Sequence, residues 1–431
     1  MKQTKLISTG NSKDRALVIG VVFGKDERVE VDEYVEELIL LADTAGAQAV
    51  RKVFQERQSP DPAYFVGKGK AEEIKSIAEA EDVNLVIFDD DLSGVQIRNL
   101  ENVIGKRVLD RSGLILDIFA LRARTHEAKL QVEMAQLKYN LSRLAGRWQH
   151  FSKQYGIIGT RGPGEKQIEM DRRAIKKRIS TLRQKLDSIT HQRELRRSRR
   201  SELRKFALVG YTNAGKSTLM NALSGSETFV EDRLFATLDT FTRKVFLTQS
   251  IQCLLVDTVG FIRKLPSDLV ASFKSTLEEV KFADFIVHVV DISSPTFREQ
   301  IDIVNETLAF LGCSAKPKVL VFNKVDRISD FGIVRSVLHE YSDSSVAISA
   351  ARQINLGQLK ERMLALMGAD MIERSFRIKS TQSEKLAKIL SVAENVQSSE
   401  TGGKSGQDGG LQLRVRMRKK DWDKLKREIY A

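Results

Sequence analysis

The sequence has few cysteines and lacks long apolar runs. Its 431 residues include only two cysteines, Cys253 and Cys313, and their spacing does not fit a metal site. We therefore expect buried or incidental thiols in a reducing compartment. No apolar run approaches the ~18 residues of a membrane-spanning helix, and residues 1–6 lack the apolar core of a signal peptide. These absences predict a cytoplasmic protein with no stable membrane insertion.

Positive charge is abundant but unevenly distributed. The chain carries 70 Lys and Arg against 57 Asp and Glu, a net charge of +13. Between Arg172 and Lys205, fourteen basic residues face only Asp187, Glu194 and Glu202, so nearly all the excess lies there. A charged helix is usually a solvated face, but an excess this one-sided favours a polyanionic partner. Nucleic acid fits better than a membrane, because no apolar membrane-seeking face accompanies the charge.

Residues 1–121 alternate strand-like and helix-like runs, which predicts an α/β domain. Residues 16–23 and 85–89 are short apolar runs typical of buried strands. Residues 31–46 predict a helix that stops at its final glycine, and Ser93 is placed to cap the helix that follows the second strand.

Residues 122–203 contain two heptad seams, which predict a long antiparallel helical hairpin. The apolar positions of these seams are Leu130, Met134, Leu137, Leu141 and Leu144, followed by Ile168, Ile175, Ile179, Leu182, Leu186 and Ile189. The glycine-rich segment between them, residues 156–165, is predicted to be a non-helical tip. We expect a long, basic hairpin of this kind to extend into a binding partner. The alternative is that it is an ordinary helical spacer.

The most specific motif follows a strand-like run at residues 206–209. It fits G-x-x-x-x-G-K-[ST] at a strand-to-helix turn, where glycines let backbone N–H groups surround a polyphosphate. The motif consists of Gly210, Tyr211, Thr212, Asn213, Ala214, Gly215, Lys216 and Ser217. In P-loop enzymes the lysine holds the β- and γ-phosphates and the hydroxyl binds Mg²⁺, so we assign these roles to Lys216 and Ser217.

Two later motifs extend this loop into a predicted guanine-nucleotide site. They are Asp257, Thr258, Val259 and Gly260, and then Asn323, Lys324, Val325 and Asp326. Asp257 is placed near Mg²⁺, and the Gly260 N–H is placed to meet the γ-phosphate. The Asp326 carboxylate can accept from two N–H groups of guanine, which adenine does not offer. Ser349 and Ala350 are a weaker candidate for lining the base pocket.

A switch loop needs a threonine that completes the Mg²⁺ shell when the γ-phosphate is present. The candidate loop and nucleotide-binding segment is Phe235, Ala236, Thr237, Leu238 and Asp239. We choose Thr237 as the second metal ligand, with Thr240 and Thr242 as alternatives, because spacing alone does not decide. The predicted catalytic set is therefore Lys216, Thr237 and Gly260.

Phe261 stands where Ras-like enzymes place a water-orienting glutamine. Because phenylalanine cannot orient water by hydrogen bonding, intrinsic hydrolysis should be slow and should need help from a partner or another residue. His288 lies in a strand-like run, and we expect a core residue there rather than a catalytic one.

Residues 204–370 are predicted to form a doubly wound P-loop domain, and the chain is assigned to the α/β class. Its strand-like runs are residues 206–209, 242–248, 252–256, 285–290, 319–322 and 345–348. Residues 371–431 predict a small α+β region. Within it, residues 398–410 are predicted to be a flexible loop and residues 411–418 an amphipathic strand with a basic outer face.

These motifs together resemble the HflX-type GTPases of the translation-factor-related branch. The resemblance covers about residues 15–350. Beyond the nucleotide motifs, it rests on residues 67–70, 98–101, 110–120, 123–127, 161–165 and 171–173. Phe241 is a departure, because the family's switch loop more often has a threonine at this position.

The resemblance implies a Mg²⁺-dependent GTPase that binds GTP and GDP and associates with the large ribosomal subunit. It also implies a role in splitting or rescuing stalled ribosomes under stress, in a bacterial-type cytoplasm, and in some members a secondary ATPase activity. We expect a monomer. The alternative is a regulatory GTPase switch that acts on a protein or membrane partner.

Overall fold

The protein has an α/β fold that contains three sheets, as a computed structural model shows. The structure describes residues 14–24, 28–147, 163–198, 203–225, 234–235, 241–249, 251–264, 279–341, 345–369, 371–379, 383–401, 410–418, 421–423 and 425–426. Within these residues, none of the helices combines the length and apolar character that crossing a bilayer requires. Both cysteines are buried free thiols, as predicted.

The first sheet has four parallel strands in the order β2-β1-β3-β4. They are β1 Asp14–Val22, β2 Ala47–Glu56, β3 Leu85–Phe88 and β4 Arg107–Asp110. The helices between and after them are α1 Arg28–Ala45, α2 Lys68–Ala80, α3 Gly94–Ile104 and α4 Arg111–Arg122. We call β1 to α4 the N-terminal unit. Helices cover both faces of this sheet, so the central strands are apolar on both sides.

Local signals for the N-terminal unit are confirmed. Gly46 has a positive φ of 92° and directly follows α1. Ser93 caps α3 in a reciprocal capping box with Gln96. The sequence analysis did not identify strand β2, whose residues Arg51 and Lys52 interrupt its apolar pattern at the edge of the sheet.

The helical hairpin consists of α5 His126–Arg147 and α6 Pro163–Ser198. Its seam is confirmed over its central part. Leu130, Met134, Leu182 and Leu186 are buried together, with Leu137, Ile179 and Ile189 partly buried beside them. The predicted seam residues Leu141 and Ile175 are half-buried outside this cluster. An Arg178–Glu133 ion pair of 2.7 Å links the two helices. Early α5 therefore packs on late α6, as antiparallel helices require.

The predicted non-helical tip is too long at its carboxyl end. Helix α6 begins at Pro163, so residues 163–165 form its first turn, whereas the rest of the tip lies outside the described residues. Proline is favoured at the first helical position because its missing N–H would have no helical partner there. The prediction extended the tip to residue 165 because glycine and proline both disfavour the interior of a helix.

Helix α5 is anchored to the N-terminal unit by the fully buried carboxylate of Asp110, at the end of β4. Asp110 caps α4 by accepting from the Gly113 N–H at 2.8 Å and also accepts from the Tyr139 hydroxyl of α5 at 2.7 Å. Arg143 pairs with the same carboxylate and lies 3.4 Å from the centre of the Tyr139 ring. The direction of the hairpin is thus fixed by a buried charge network.

The second sheet has six strands in the order β10-β9-β8-β5-β7-β6, in which only the β6–β7 pair is antiparallel among the described pairings. Its strands are β5 Arg204–Gly210, β6 Thr242–Phe246, β7 Gln252–Asp257, β8 Phe285–Asp291, β9 Lys318–Asn323 and β10 Ser345–Ala347. Helices around it are α7 Lys216–Ser224, α8 Phe297–Phe310, α9 Phe331–Glu340 and α10 Leu356–Ala369. All six predicted strands are present.

The third sheet is antiparallel, in the order β11-β13-β12. It contains β11 Met371–Lys379, β12 Ala393–Thr401 and β13 Gly410–Arg418, with α11 Ser383–Val392 between the first two. Residues 398–401 belong to β12 and pair with β13, so the predicted loop begins too early. Their polar composition resembles a loop, but backbone pairing with β13 makes them strand.

Gly94 offers a direct test of how the hairpin packs on the N-terminal unit. A Cβ atom on Gly94 would lie 2.5 Å from the Arg143 carbonyl oxygen, so Gly94→Ala should push α5 away from α3. We expect a loss of about 1–3 kcal/mol in the free energy of unfolding of this part, measured by denaturant titration.

The control for this substitution is Gly69→Ala in α2, where a Cβ atom would meet nothing within 4 Å. This change should be neutral or stabilising by up to about 1 kcal/mol, because alanine restricts the unfolded chain. Equal effects of the two substitutions would contradict the packing described here.

Candidate functional site

The predicted motifs converge at one edge of the second sheet. Strands β5, β7, β8, β9 and β10 are parallel, so the segments that follow them emerge at the same edge. The glycine-rich loop follows β5, residues 257–260 end and follow β7, and residues 323–326 end and follow β9. Residues 349–350 follow β10. The carboxyl edge of an open α/β sheet is where such folds bind their ligands.

The glycine-rich loop wraps closely around its own lysine. Lys216 is buried, and its Nζ donates to the carbonyl oxygens of Gly210 at 3.1 Å and Tyr211 at 2.7 Å. Gly215 has a φ of 91°, and a Cβ atom there would lie 2.2 Å from the Asn323 Nδ2. Only glycine fits this position. Burial lowers the pKa of Lys216 to about 8, although nearby Asp257 acts in the opposite direction.

Ser217 and Asp257 form an oxygen pair below the loop. The Ser217 hydroxyl donates to Asp257 Oδ2 at 2.7 Å, and Asp257 is buried. A hydroxyl and a carboxylate are the hard oxygen donors that Mg²⁺ prefers, so this pair fits the predicted metal. Within the described residues, no group of three or more His, Cys, Asp or Glu forms an alternative metal centre.

Two threonines beside the loop differ in their surroundings. The Thr258 hydroxyl is fully buried and donates to the Leu208 carbonyl oxygen at 2.6 Å, so it links β7 to β5. In contrast, the buried Thr212 hydroxyl has no hydrogen-bond partner among the described residues. A polar atom of this kind beside an anion-binding loop fits contact with a phosphate.

Gly260 lies directly against the glycine-rich loop. A Cβ atom at Gly260 would be 2.9 Å from the Thr212 Cα and 3.0 Å from the Lys216 Nζ. Two backbone bonds hold this segment: the Thr212 N–H donates to the Phe261 carbonyl oxygen at 2.8 Å, and the Phe261 N–H donates to the Gly210 carbonyl oxygen at 3.1 Å. The Gly260 backbone is therefore as close to the lysine as its predicted role requires.

The Phe261 side chain packs in the core and does not face this loop. It is buried in an apolar cluster with Ala207, Val209 and Ile286. The arrangement agrees with the expectation that Phe261 does not orient water. His288 is also buried, and its pKa falls to about 3, chiefly through burial and then through nearby Lys318 and Lys216.

Asn323 connects three of the converging loops. Its Nδ2 donates to the Ala214 carbonyl oxygen at 2.9 Å, and its Oδ1 accepts from the Ala350 N–H at 2.9 Å. The adjacent Lys324 has a φ of 65°, and its Nζ lies 2.7 Å from Asp291 Oδ2. This network holds residues 323–326 in a fixed position relative to the glycine-rich loop.

Asp326 and Ser349 occupy different environments at this edge. Asp326 is exposed within a 3₁₀ turn, Val325–Arg327, so its carboxylate is accessible to a base. Ser349 is fully buried, and its hydroxyl accepts from the Arg352 N–H at 3.1 Å. The Ser349 hydroxyl therefore shapes the loop, and Ala350 contributes through its backbone.

The predicted switch segment is described only at its start. Phe235 has a φ of 53°, is buried, and lies with its ring 4.7 Å from that of Phe119 in the N-terminal unit. Ala236, Thr237, Leu238 and Asp239, and the alternative Thr240, lie outside the described residues. The other alternative, Thr242, is the first residue of β6.

A network of charged residues, not predicted from the sequence, reaches the glycine-rich loop through Glu37 and the segment after Gly260 through Asp89. Glu37 of α1 accepts a hydrogen bond from the Tyr211 hydroxyl at 2.5 Å, and Lys264 pairs with Asp89 at 2.7 Å. Arg111 pairs with both Glu37 and Asp89. These residues are distant in sequence, so no local spacing indicates that they meet.

The lowered pKa of Lys216 predicts proton uptake on nucleotide binding. An anionic phosphate beside the ammonium would raise the pKa of Lys216 above its value of about 8 in the nucleotide-free protein. At a pH between the pKa of the free protein and that of the complex, GDP binding therefore takes up a proton. We expect the binding enthalpy at about pH 9 to depend on the ionisation enthalpy of the buffer, and affinity to fall as pH rises through about 8. Calorimetry in two buffers measures this, with about pH 7 as the internal control, where Lys216 is largely protonated and the terminal phosphate of GDP is largely ionised. Equal enthalpies in both buffers at about pH 9 would contradict the assignment.

Comparison with known proteins finds matches in sequence and in structure. Three family models match: a GTP-binding GTPase N-terminal model at residues 32–120, a GTP-binding GTPase middle-region model at 122–200, and a 50S ribosome-binding GTPase model at 205–324. A solved structure of a GTP-binding protein from the archaeon Sulfolobus solfataricus, in complex with GDP, is 26% identical. It covers 83% of this chain and 99% of its own, with a TM-score of 0.44.

Curated relatives are more similar. The GTPase HflX of Caldanaerobacter subterraneus subsp. tengcongensis is 46% identical over 81% of this chain and 79% of the relative. The GTPase HflX of Escherichia coli is 39% identical over 96% of this chain and 95% of the relative. The chain thus belongs to the HflX family of GTPases, and it is a P-loop protein that binds and hydrolyses GTP.

Proposed function

We propose that this GTPase associates with the large ribosomal subunit and that the γ-phosphate state sets its affinity for the subunit. The main support for this proposal is the helical hairpin, which is basic and is anchored to the N-terminal unit through Asp110. Its exposed residues include Arg172, Arg173, Lys176, Lys177, Arg183 and Lys185. One matching family model is described as a 50S ribosome-binding GTPase, which supports the same partner. Ribosomal RNA is recognised largely through its shape and phosphates, which suits such a surface.

The site residues are proposed in the roles that their sequence motifs predict. Lys216 holds the β- and γ-phosphates, Ser217 and Thr237 bind Mg²⁺, and the Gly260 N–H meets the γ-phosphate. The proximity of Ser217 to Asp257 and of Gly260 to Lys216 supports this assignment. Hydrolysis is then Mg²⁺-dependent. A secondary ATPase activity, implied by the resemblance, is part of the same proposal.

The chain is proposed to divide into four parts: residues 1–121, the basic hairpin at 122–203, the GTPase domain at 204–370, and the C-terminal region at 371–431. The three sheets and the hairpin fall within these limits. In this division the GTPase domain binds and hydrolyses the nucleotide, and the hairpin provides the basic surface that contacts the partner. A cytoplasmic monomer that splits or rescues stalled ribosomes under stress is the resulting proposal.

Guanine selection is proposed to depend on Asp326, so Asp326→Asn should weaken GTP binding by at least about a hundredfold and favour xanthosine triphosphate. The amide presents one donor and one acceptor, which mismatches guanine and matches xanthine. Competition titrations with GTP, XTP and ATP measure the change.

Asp330→Asn is the matched control for this substitution. Asp330 caps α9 through the Gly332 N–H at 2.8 Å, and asparagine caps helices as well as aspartate. The control should keep the GTP preference. An unchanged preference in Asp326→Asn itself would reject the base assignment.

Ribosome association is tested by sedimentation with isolated large subunits in the presence of GDP or a non-hydrolysable GTP analogue. We expect tighter binding with the analogue. Replacing Arg196, Arg197, Arg199 and Arg200 with glutamine should weaken binding and flatten its salt dependence, because fewer counterions are released. Intrinsic GTP hydrolysis should stay close to that of the parent chain.

The control removes the same charge elsewhere, at the exposed residues Lys68, Lys75, Lys281 and Arg335. Subunit binding by this variant should exceed that of the hairpin variant. If both variants bind equally, the hairpin is a spacer. If the parent chain does not sediment with subunits in either nucleotide state, the alternative of a regulatory switch on a protein or membrane partner replaces the proposal.

A further inference from the structure

Tyr211 joins the glycine-rich loop to the segment that follows Gly260. Its carbonyl oxygen accepts from the Lys216 Nζ at 2.7 Å, and its backbone pairs with Phe261 in an isolated β-bridge. Its side-chain hydroxyl accepts from the Arg263 N–H at 2.9 Å. One residue of the phosphate loop therefore contacts the lysine and both ends of residues 261–263.

The orientation of this tyrosine is set from outside the GTPase domain. The Tyr211 hydroxyl donates to Oε2 of Glu37 at 2.5 Å. Oε1 of the same carboxylate pairs with Arg111, a side chain that is only 2% exposed. Arg111 in turn lies 2.5 Å from Oδ1 of Asp89. Glu37 is therefore held on one oxygen by the N-terminal unit, and its other oxygen meets the phosphate loop through Tyr211 and lies 3.9 Å from the Arg263 guanidinium.

The same network returns to the segment after Gly260. Oδ2 of Asp89 lies 2.7 Å from the Lys264 Nζ. Residues 261–264 are thus fixed at one end by the backbone of the phosphate loop and at the other by a buried carboxylate. The Tyr211 hydroxyl holds the middle of this short segment through the Arg263 N–H.

Hydrogen bonding through Tyr211 lets Glu37 affect the position of residues 260–263. A buried phenol needs an acceptor for its O–H group, and losing that acceptor costs a desolvation penalty. Without Glu37, the Tyr211 hydroxyl loses the acceptor that fixes its position beside the Arg263 N–H. Because Phe261 cannot orient water, the reaction depends on where the Gly260 and Phe261 backbone lies. Displacements of about 1 Å in such a segment lower rates markedly.

We propose that Glu37 is a positioning residue for GTP hydrolysis, acting through the Tyr211 hydroxyl on the backbone of residues 260–263. The proposal concerns hydrolysis by the chain alone, so it does not depend on ribosome association. Its competitor is a purely structural role, in which Glu37 only attaches the N-terminal unit to the GTPase domain.

Single-turnover GTP hydrolysis by the full chain, with saturating nucleotide and Mg²⁺, separates the two roles. Tyr211→Phe removes only the hydroxyl and leaves the Glu37–Arg111 pair intact. We expect it to lower the hydrolysis rate about tenfold while the Kd for GDP changes by less than about twofold, because GDP needs no contact with Gly260. Glu37→Ala should lower the rate at least as much, because it also removes the pair with the Arg263 guanidinium.

The double variant Tyr211→Phe, Glu37→Ala should be no slower than Glu37→Ala, because the Tyr211 hydroxyl acts only through a link that Glu37→Ala already removes. The matched control is Glu36→Ala, one residue away on the exposed side of α1, where the carboxylate pairs with Lys52. The control should hydrolyse GTP at the parent rate. Thermal unfolding of each variant reports any general loss of structure.

Two results would overturn the proposal. One is a Tyr211→Phe rate within about twofold of the parent, and the other is additive losses in the double variant. If Glu37→Ala does not fold because Arg111 loses a partner, Tyr211→Phe alone decides the matter, since the fold of that variant keeps every charged pair.

Discussion

The two hydrogen bonds of the Asn323 side chain are the constraint on which the nucleotide site depends. One bond reaches the Ala214 carbonyl oxygen in the phosphate loop, and the other reaches the Ala350 N–H in the loop after β10. Gly215 must lack a side chain because Asn323 occupies that space. The phosphate loop and residues 323–326, which we propose to bind the base, are therefore held in one preformed arrangement, which reduces the ordering that binding must impose.

A second constraint comes from the N-terminal unit, which packs on the GTPase domain at the two segments that we propose to sense the nucleotide. Leu234, Phe235, Val259 and Ile262 share one apolar core with residues of the N-terminal unit, including Phe119. A change in the position of Phe235 or of the segment around Gly260 must therefore repack this core. Asp110 and Tyr139 in turn join the N-terminal unit to the hairpin, so these segments, the N-terminal unit and the hairpin form one packed series of contacts.

The sequence predicted what short-range patterns encode. Strand runs, the Ser93 cap, the Gly46 stop and the hairpin seam all follow from periodicity and local chemistry, and the structure confirms them. Strand β2 was missed because an edge strand need not be apolar on both faces. Pro163 was assigned to the non-helical tip because proline disrupts the interior of a helix. Proline also suits the first position of a helix, which is where Pro163 lies.

The candidate site was predictable as far as its motifs extend, from residue 210 to residue 350. The contacts of Glu37, Asp89 and Arg111 with this site were not predictable from one sequence. Glu37 and Tyr211 are 174 residues apart, and only the tertiary fold brings them to 2.5 Å. Long-range polar pairs of this kind have no periodicity, so nothing in the chain marks them before folding.

The central claim is that phosphate loop, base loop and N-terminal unit respond to nucleotide as one structure. Hydrogen exchange of the backbone amides, compared among the nucleotide-free chain, the GDP complex and the complex with a non-hydrolysable GTP analogue, tests it directly. The account predicts that GDP protects residues 210–217, 323–326 and 349–350 together, and that the GTP analogue also changes exchange in α1 around Glu37. Protection confined to the phosphate loop, with no response in α1 in either complex, would contradict the account.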